Sequence, residues 1–164
     1  MADLQTLSLV LTGIGLIIAL TYYALTLRNT NRTRQADMLM RLHSEWGNKY
    51  HQDAAWTVLS LDFGDYSEFE SKYGPITEGE KVHMELYRVG WFFNGLGVLL
   101  HKGLADVDLI VELFGYMAIW LWEIIEPVII AGRELYGQPK TLEWYEYLYK
   151  ELMKYKEEHP EPKT

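Results

Sequence analysis

No charged residue interrupts Leu4 to Leu27, a run of 24 residues, and an α-helix needs roughly 20 to cross a hydrocarbon core of about 30 Å. The run is long enough to span. Within it Ser8, Thr12, Gly15, Ala19, Tyr22 and Thr26 recur at spacings of 4, 3, 4, 3, 4, so they share one stripe of a helix while Leu, Ile and Val fill most of the rest. The same phase continues through Asn29, Thr33, Ala36, Met40 and His43 with no Pro or Gly to break it. That pattern predicts a single helix running from the membrane to near Gly47.

Beyond it the chain reads as further helices. His51 to Leu61 offers Ala54, Ala55, Val58 and Leu59 for packing, and "DFGDYSEFESKYGP" mixes turn formers with aromatics, which predicts a loop enclosing one short helix and ending at Pro75. Thr77 followed by Glu80 has the form of a capping box, opening a helix that runs to about His101. Asp106 opens another, which Pro127 is expected to bend or break. Thr141 is expected to cap a last helix ending near Glu158, with Leu142, Tyr145, Tyr149 and Leu152 as its apolar stripe and Glu143, Glu146, Lys150 and Lys154 elsewhere. Alternating β patterns are absent. The fold class expected is all-α: one N-terminal transmembrane helix with its extension, residues 1–46, continuing into a helical bundle, residues 47–164.

Two further apolar runs, Val89 to His101 and Leu113 to Trp122, hold 13 and 10 uncharged residues, too few to cross a bilayer. They read as the paired central helices of a soluble core, with an interfacial hairpin as the competing reading.

Charge sets the orientation. Through Arg41 four basic residues, Arg28, Arg32, Arg34 and Arg41, face Asp3 and Asp37, a balance of +2; from Leu42 onward 11 basic residues oppose 21 acidic ones, a balance of −10. Arginines directly after the span resist translocation, so Arg28, Arg32 and Arg34 form a cytoplasmic collar. The N-terminus is then outside and the domain inside, at the inner (plasma) membrane. A secretory signal fits poorly, because the positive charge follows the apolar run and no small-x-small site follows it. An acidic domain also argues against nucleic acid as a partner.

Candidate chemistry is sparse. With no cysteine in the chain, disulfides, thiolate metal sites and cysteine nucleophiles are excluded. Glu80 and His83 share a helix face as in di-iron bundles, but no second Glu-x-x-His exists, and Glu123 with Glu126 is the nearest acidic pair at that spacing. His43, Glu45 and His51 could meet near the membrane end and respond to pH. His101 beside Lys102 reads as a C-terminal dipole partner. "GLGVLLHKG" is no phosphate loop, since its glycines lie inside an apolar helix where they permit close packing. Neither a catalytic residue, nor a metal ligand, nor a cofactor is expected, and the chain is read as no enzyme.

The segments "LTGIGLIIALTYYALTLRNTNRTRQ", "NGLGVLLHKGLADVDLIVELFG", Trp122 ahead of Pro127, and "TLEWYEYLYKEL" together resemble an uncharacterised family of small prokaryotic single-pass membrane proteins with a helical cytoplasmic domain of unknown function. The resemblance implies this architecture and no chemistry. The stripe of small and hydroxyl-bearing residues allows close helix approach in lipid, so membrane lipid and a second copy of the chain are the expected partners. Three uses of the span follow: a homo-oligomeric contact, a hydrated pore lined by that helix, or packing of a small accessory subunit against another membrane protein.

Overall fold

The computed structural model describes residues 2–76 and 81–160. Every regular element among them is helical: α1 Ala2–Trp46, α2 Lys49–Leu59, α3 Tyr66–Tyr73, α4 Lys81–His101, α5 Val107–Ile110, α6 Tyr116–Leu135 and α7 Glu143–Glu158. The expected capping box, Thr77 and Glu80, lies outside the described residues. The chain divides into two compact units, Met1–Met38 and Leu39–Thr164. The division falls earlier than Trp46 because Leu39 and Trp46, at the end of α1, are buried in the helical unit.

Side chains fix several helix starts. Asn48 accepts from the His51 amide at 3.1 Å and opens α2. Asp65 accepts from the Glu68 amide at 2.9 Å while the Glu68 carboxylate accepts from the Gly64 amide at 2.8 Å, a reciprocal cap that opens α3. Asp106 sits at the start of α5 in extended backbone, without a side-chain cap bond.

Three expectations change. Pro127 does not break its helix: α6 runs through it to Leu135, held by buried Ile125, Val128 and Ile129 on either side. The irregularity lies upstream, where Val111–Gly115 is π-helical and joins α5 to α6. Leu113 to Trp122 is therefore embedded in a 29-residue helix, Val107–Leu135, that is long and apolar enough to cross a membrane, with 44% of its apolar window buried. Its inner face supplies core residues to the helical unit. Finally, Thr141 does not cap α7. Leu142 precedes that helix in left-handed backbone (φ 55°), and Oδ1 of Asn94, from α4, accepts from the Trp144 and Tyr145 amides at 3.1 and 3.3 Å.

Helix α4 packs most extensively on α7 and next on α2, rather than pairing chiefly with α6. Small residues permit this: a Cβ built on Gly97 falls on the backbone carbonyl of Trp144, and one on Gly90 falls on the Leu142 side chain. Gly90, Phe93, Asn94 and Gly97 follow at i, i+3, i+4 and i+7, so they form the face that receives α7. At the centre Tyr145 is fully buried, its ring stacked on Phe93 at 5.0 Å and edge-on to Trp122 at 4.9 Å, and its hydroxyl donates to the Ala118 carbonyl at 2.9 Å. Burial pushes this phenol well above its ordinary pKa, so it remains a donor. Leu148 completes the buried face of α7, with Tyr149 only partly covered.

An ionic contact also ties α6 to α7 and carries a pH dependence. The Lys150 ammonium at 2.5 Å and the Arg133 guanidinium at 2.7 Å hold the Glu146 carboxyl below its ordinary pKa. A carboxyl lowered by folding stabilises above its unfolded pKa of about 4.3, and that contribution is lost as pH falls through the folded value. Glu146→Gln should therefore melt below wild type at neutral pH, with the gap closing as the solution is acidified. A gap that persists unchanged to about pH 3 contradicts this assignment.

Candidate functional site

The first candidate surface is the N-terminal unit itself. The Asp3–Trp46 helix contains a window of mean hydropathy 2.0, none of which is buried. The stripe residues Ser8, Thr12, Gly15, Ala19, Tyr22 and Thr26 are all exposed, and a Cβ built on Gly15 meets nothing within 4 Å. A neighbouring helix can therefore approach the backbone there.

Three threonine hydroxyls of the apolar run are already engaged as donors. Thr12 donates to the Ser8 carbonyl, Thr21 to that of Ile17 and Thr26 to that of Tyr22, each at 2.8 Å. What they keep for another chain is acceptor capacity. Past the apolar run, Arg28, Arg32 and Arg34 are exposed and make no ion pair with described residues. Three uncommitted guanidinium groups in one short stretch suit lipid phosphates.

The helical unit carries a second surface that periodicity did not single out. Tyr87, Trp91, Tyr136, Gln138, Pro139, Lys140 and Thr141 line an open groove of ≈ 740 Å³. A second hollow of ≈ 390 Å³, lined by Tyr50, Met84 and Arg88 among others, shares Tyr87 and Trp91 with it, so the two form one furrow along α4. Tyr50, Met84, Trp91 and Tyr136 are each about half exposed or more. Arg88 lies over the Tyr50 ring, 3.5 Å from its centroid, and is paired with the buried Glu85.

Hydrogen bonds to Ile76 fix Tyr136 of the furrow and the neighbouring Tyr66. Tyr136 donates to the Ile76 carbonyl at 3.2 Å, and the Ile76 amide donates to Tyr66 at 3.5 Å. Burial, and then the neighbouring Tyr136 and Tyr66, raise the Tyr87 phenol above its ordinary pKa, so it stays protonated. Its signal in the sequence is a helix apolar on two faces. Leu86, Val89 and Phe93 go to the core, whereas Met84, Tyr87 and Trp91 remain open.

The residues singled out for chemistry have other positions. His83 is buried and edge-on to Phe69 at 5.4 Å, a core placement, and Glu80 lies outside the described residues. Glu123 accepts from the Tyr149 hydroxyl at 3.5 Å. Among the described residues no group of three or more His, Asp or Glu is arranged to hold a metal ion. Glu45 and His51 do meet, with the His51 ring 3.1 Å from the Glu45 carbonyl oxygen and 3.9 Å from its carboxylate. His43 instead packs edge-on against Phe114 at 5.6 Å. His101 lies tilted against Trp144 at 4.3 Å and meets Tyr147 edge-on, so it packs α4 onto α7.

A family model described as "Domain of unknown function (DUF4760)" matches residues 9–152, which takes in most of the apolar helix and nearly all of the helical unit. No curated protein and no solved structure matches the chain.

Proposed function

The chain belongs to the family described as a domain of unknown function, DUF4760, and from that premise we propose that it is a single-pass membrane protein acting by assembly and not by catalysis. In this reading the helix from Leu4 to Leu27 crosses the plasma membrane. Arg28, Arg32 and Arg34 hold the acidic helical unit in the cytoplasm and leave Asp3 outside. The observation that carries the reading is the exposed window of mean hydropathy 2.0 followed by the three arginines. Apolar surface of that extent is unfavourable in water, and lipid is the environment that covers it.

Within the membrane the small stripe joins copies of the chain. Gly15 and Ala19 let backbones approach, which is what helix association in lipid requires. The threonine hydroxyls donate within their own helix, which favours a solid helix contact over a hydrated pore.

Cross-linking in native membranes tests this. Gly15→Leu with Ala19→Leu should abolish the cross-linked oligomer, while Ile14→Leu with Ile18→Leu, on the opposite face, should leave it. An oligomer that survives the first pair, or that dissolves equally with the second, restricts the span to anchoring. A detergent complex containing a second, larger protein would identify the chain as an accessory subunit.

A further inference from the structure

Charge distribution marks the furrow as unusual for this protein. From Leu42 onward acidic residues outnumber basic ones 21 to 11, yet among the described residues no carboxylate lines the furrow. The charged members of its wall are Arg88 and Lys140, and Lys140 makes no ion pair among the described residues. Four aromatic side chains, Tyr50, Tyr87, Trp91 and Tyr136, dominate the rest of the wall, with Met84, Gln138 and Pro139 among the others. Open aromatic furrows recognise extended proline-bearing segments, whose backbone carries no internal hydrogen bonds and whose rings lie flat on aromatic faces. A cation at the rim adds a preference for acidic residues in the segment.

The chain contains such a segment. Glu157 to Pro162 reads "EEHPEP": Glu157 and Glu158 close the last turn of α7, and His159, Pro160, Glu161 and Pro162 follow it. Proline fixes its own φ and biases the residue before it towards extended backbone. We propose that this segment of one copy docks in the furrow of a second copy, its prolines against Trp91 and Tyr136 and its glutamates towards Lys140.

Reach decides against docking within one chain. Lys140 and Thr141, at the furrow, immediately precede α7. That helix has 16 residues, about 24 Å at 1.5 Å per residue. It runs back along α6, as Arg133 pairs with Glu146 while Tyr149 reaches Glu123, so its far end lies away from Tyr136. From Glu158 to Pro162 the chain extends at most about 14 Å. The segment cannot return to its own furrow but can enter a neighbour's, and copies joined through α1 would hold the two at high effective concentration. The docking draws on the proposed self-association in that respect.

The absence of cysteine makes a direct test available. Two full-length forms with different tags, one carrying Gln138→Cys and the other Glu161→Cys, are co-expressed and treated in membranes with a short bis-maleimide. A mixed dimer bearing both tags is expected. Lys140→Glu with Trp91→Ala in the furrow copy, or Pro160→Ala with Pro162→Ala in the other, should reduce it at least fivefold, as should excess free EEHPEP peptide. Thermal melts of each variant establish that the fold is kept, and the peptide competition needs no variant in the furrow. A missing mixed dimer, or one indifferent to these changes, overturns the proposal. So does binding of the free peptide without a mixed dimer, which would assign the furrow to an acidic, proline-bearing segment of another protein. The α1 cross-link, read in the same membranes, reports self-association separately, so either contact can fail while the other stands.

Discussion

Gly97→Val should lower the melting temperature of the helical unit by on the order of 10 °C, and Gly95→Ala, two residues away on the same helix, should raise it slightly. At Gly97 any Cβ falls on the backbone carbonyl of Trp144. Backbone cannot rotate aside as a side chain does, so α7 must move off α4, and Asn94 and Tyr145 move with it. Overpacking of this kind costs about 3 kcal/mol. Gly95 is exposed and its Cβ meets nothing within 4 Å, so alanine there recovers the usual helix penalty of glycine, about 0.5 to 1 kcal/mol. Thermal melts followed by circular dichroism read both. Equal effects at the two glycines would mean that the close approach of α7 to α4 is wrong.

The second large effect is expected at Asn94. Its Oδ1 serves two amides at the start of α7, a helix whose first turn has no cap of its own. Asn94→Ala should cost about 2 kcal/mol, because it strands the Trp144 amide and leaves a small void, while the Tyr145 amide keeps its 3.1 Å bond to the Leu142 carbonyl. Thr141→Ala, the change that local sequence would single out as harmful, should stay within about 0.5 kcal/mol of wild type. Urea unfolding of the two variants discriminates them, and a Thr141→Ala protein less stable than Asn94→Ala would restore the local cap.

These two sites show what the sequence holds and what it hides. The long helix from the apolar run, the end of α4 at His101 and the end of α7 at Glu158 follow from periodicity and charge, which are local. The cap of α7 is not local, since its acceptor lies 50 residues upstream on another helix. Of the bend or break expected at Pro127, the break does not occur for a related reason: burial of Ile125, Val128 and Ile129 outweighs one missing amide donor. In "GLGVLLHKG" Gly95 and Gly97 look alike, yet of the two only Gly97 meets α7. The small stripe was legible as spacing because it lies along one unbroken, exposed helix, whose phase needs no tertiary partner to display it. The furrow was not, because Trp91 and Tyr136 lie far apart in the chain and apolar residues on α4 cannot be sorted into core and open faces without their neighbours.

The central claim, that Leu4 to Leu27 crosses the membrane and holds the helical unit in the cytoplasm, is tested most directly by single-cysteine accessibility in intact cells. The chain has no cysteine to remove. Asp3→Cys should react with a membrane-impermeant maleimide added from outside, Ile17→Cys should stay unlabelled, and Asp53→Cys, on the exposed side of α2, should react only after lysis. Labelling of Asp53→Cys in intact cells, or recovery of the protein in the soluble fraction, would contradict the account.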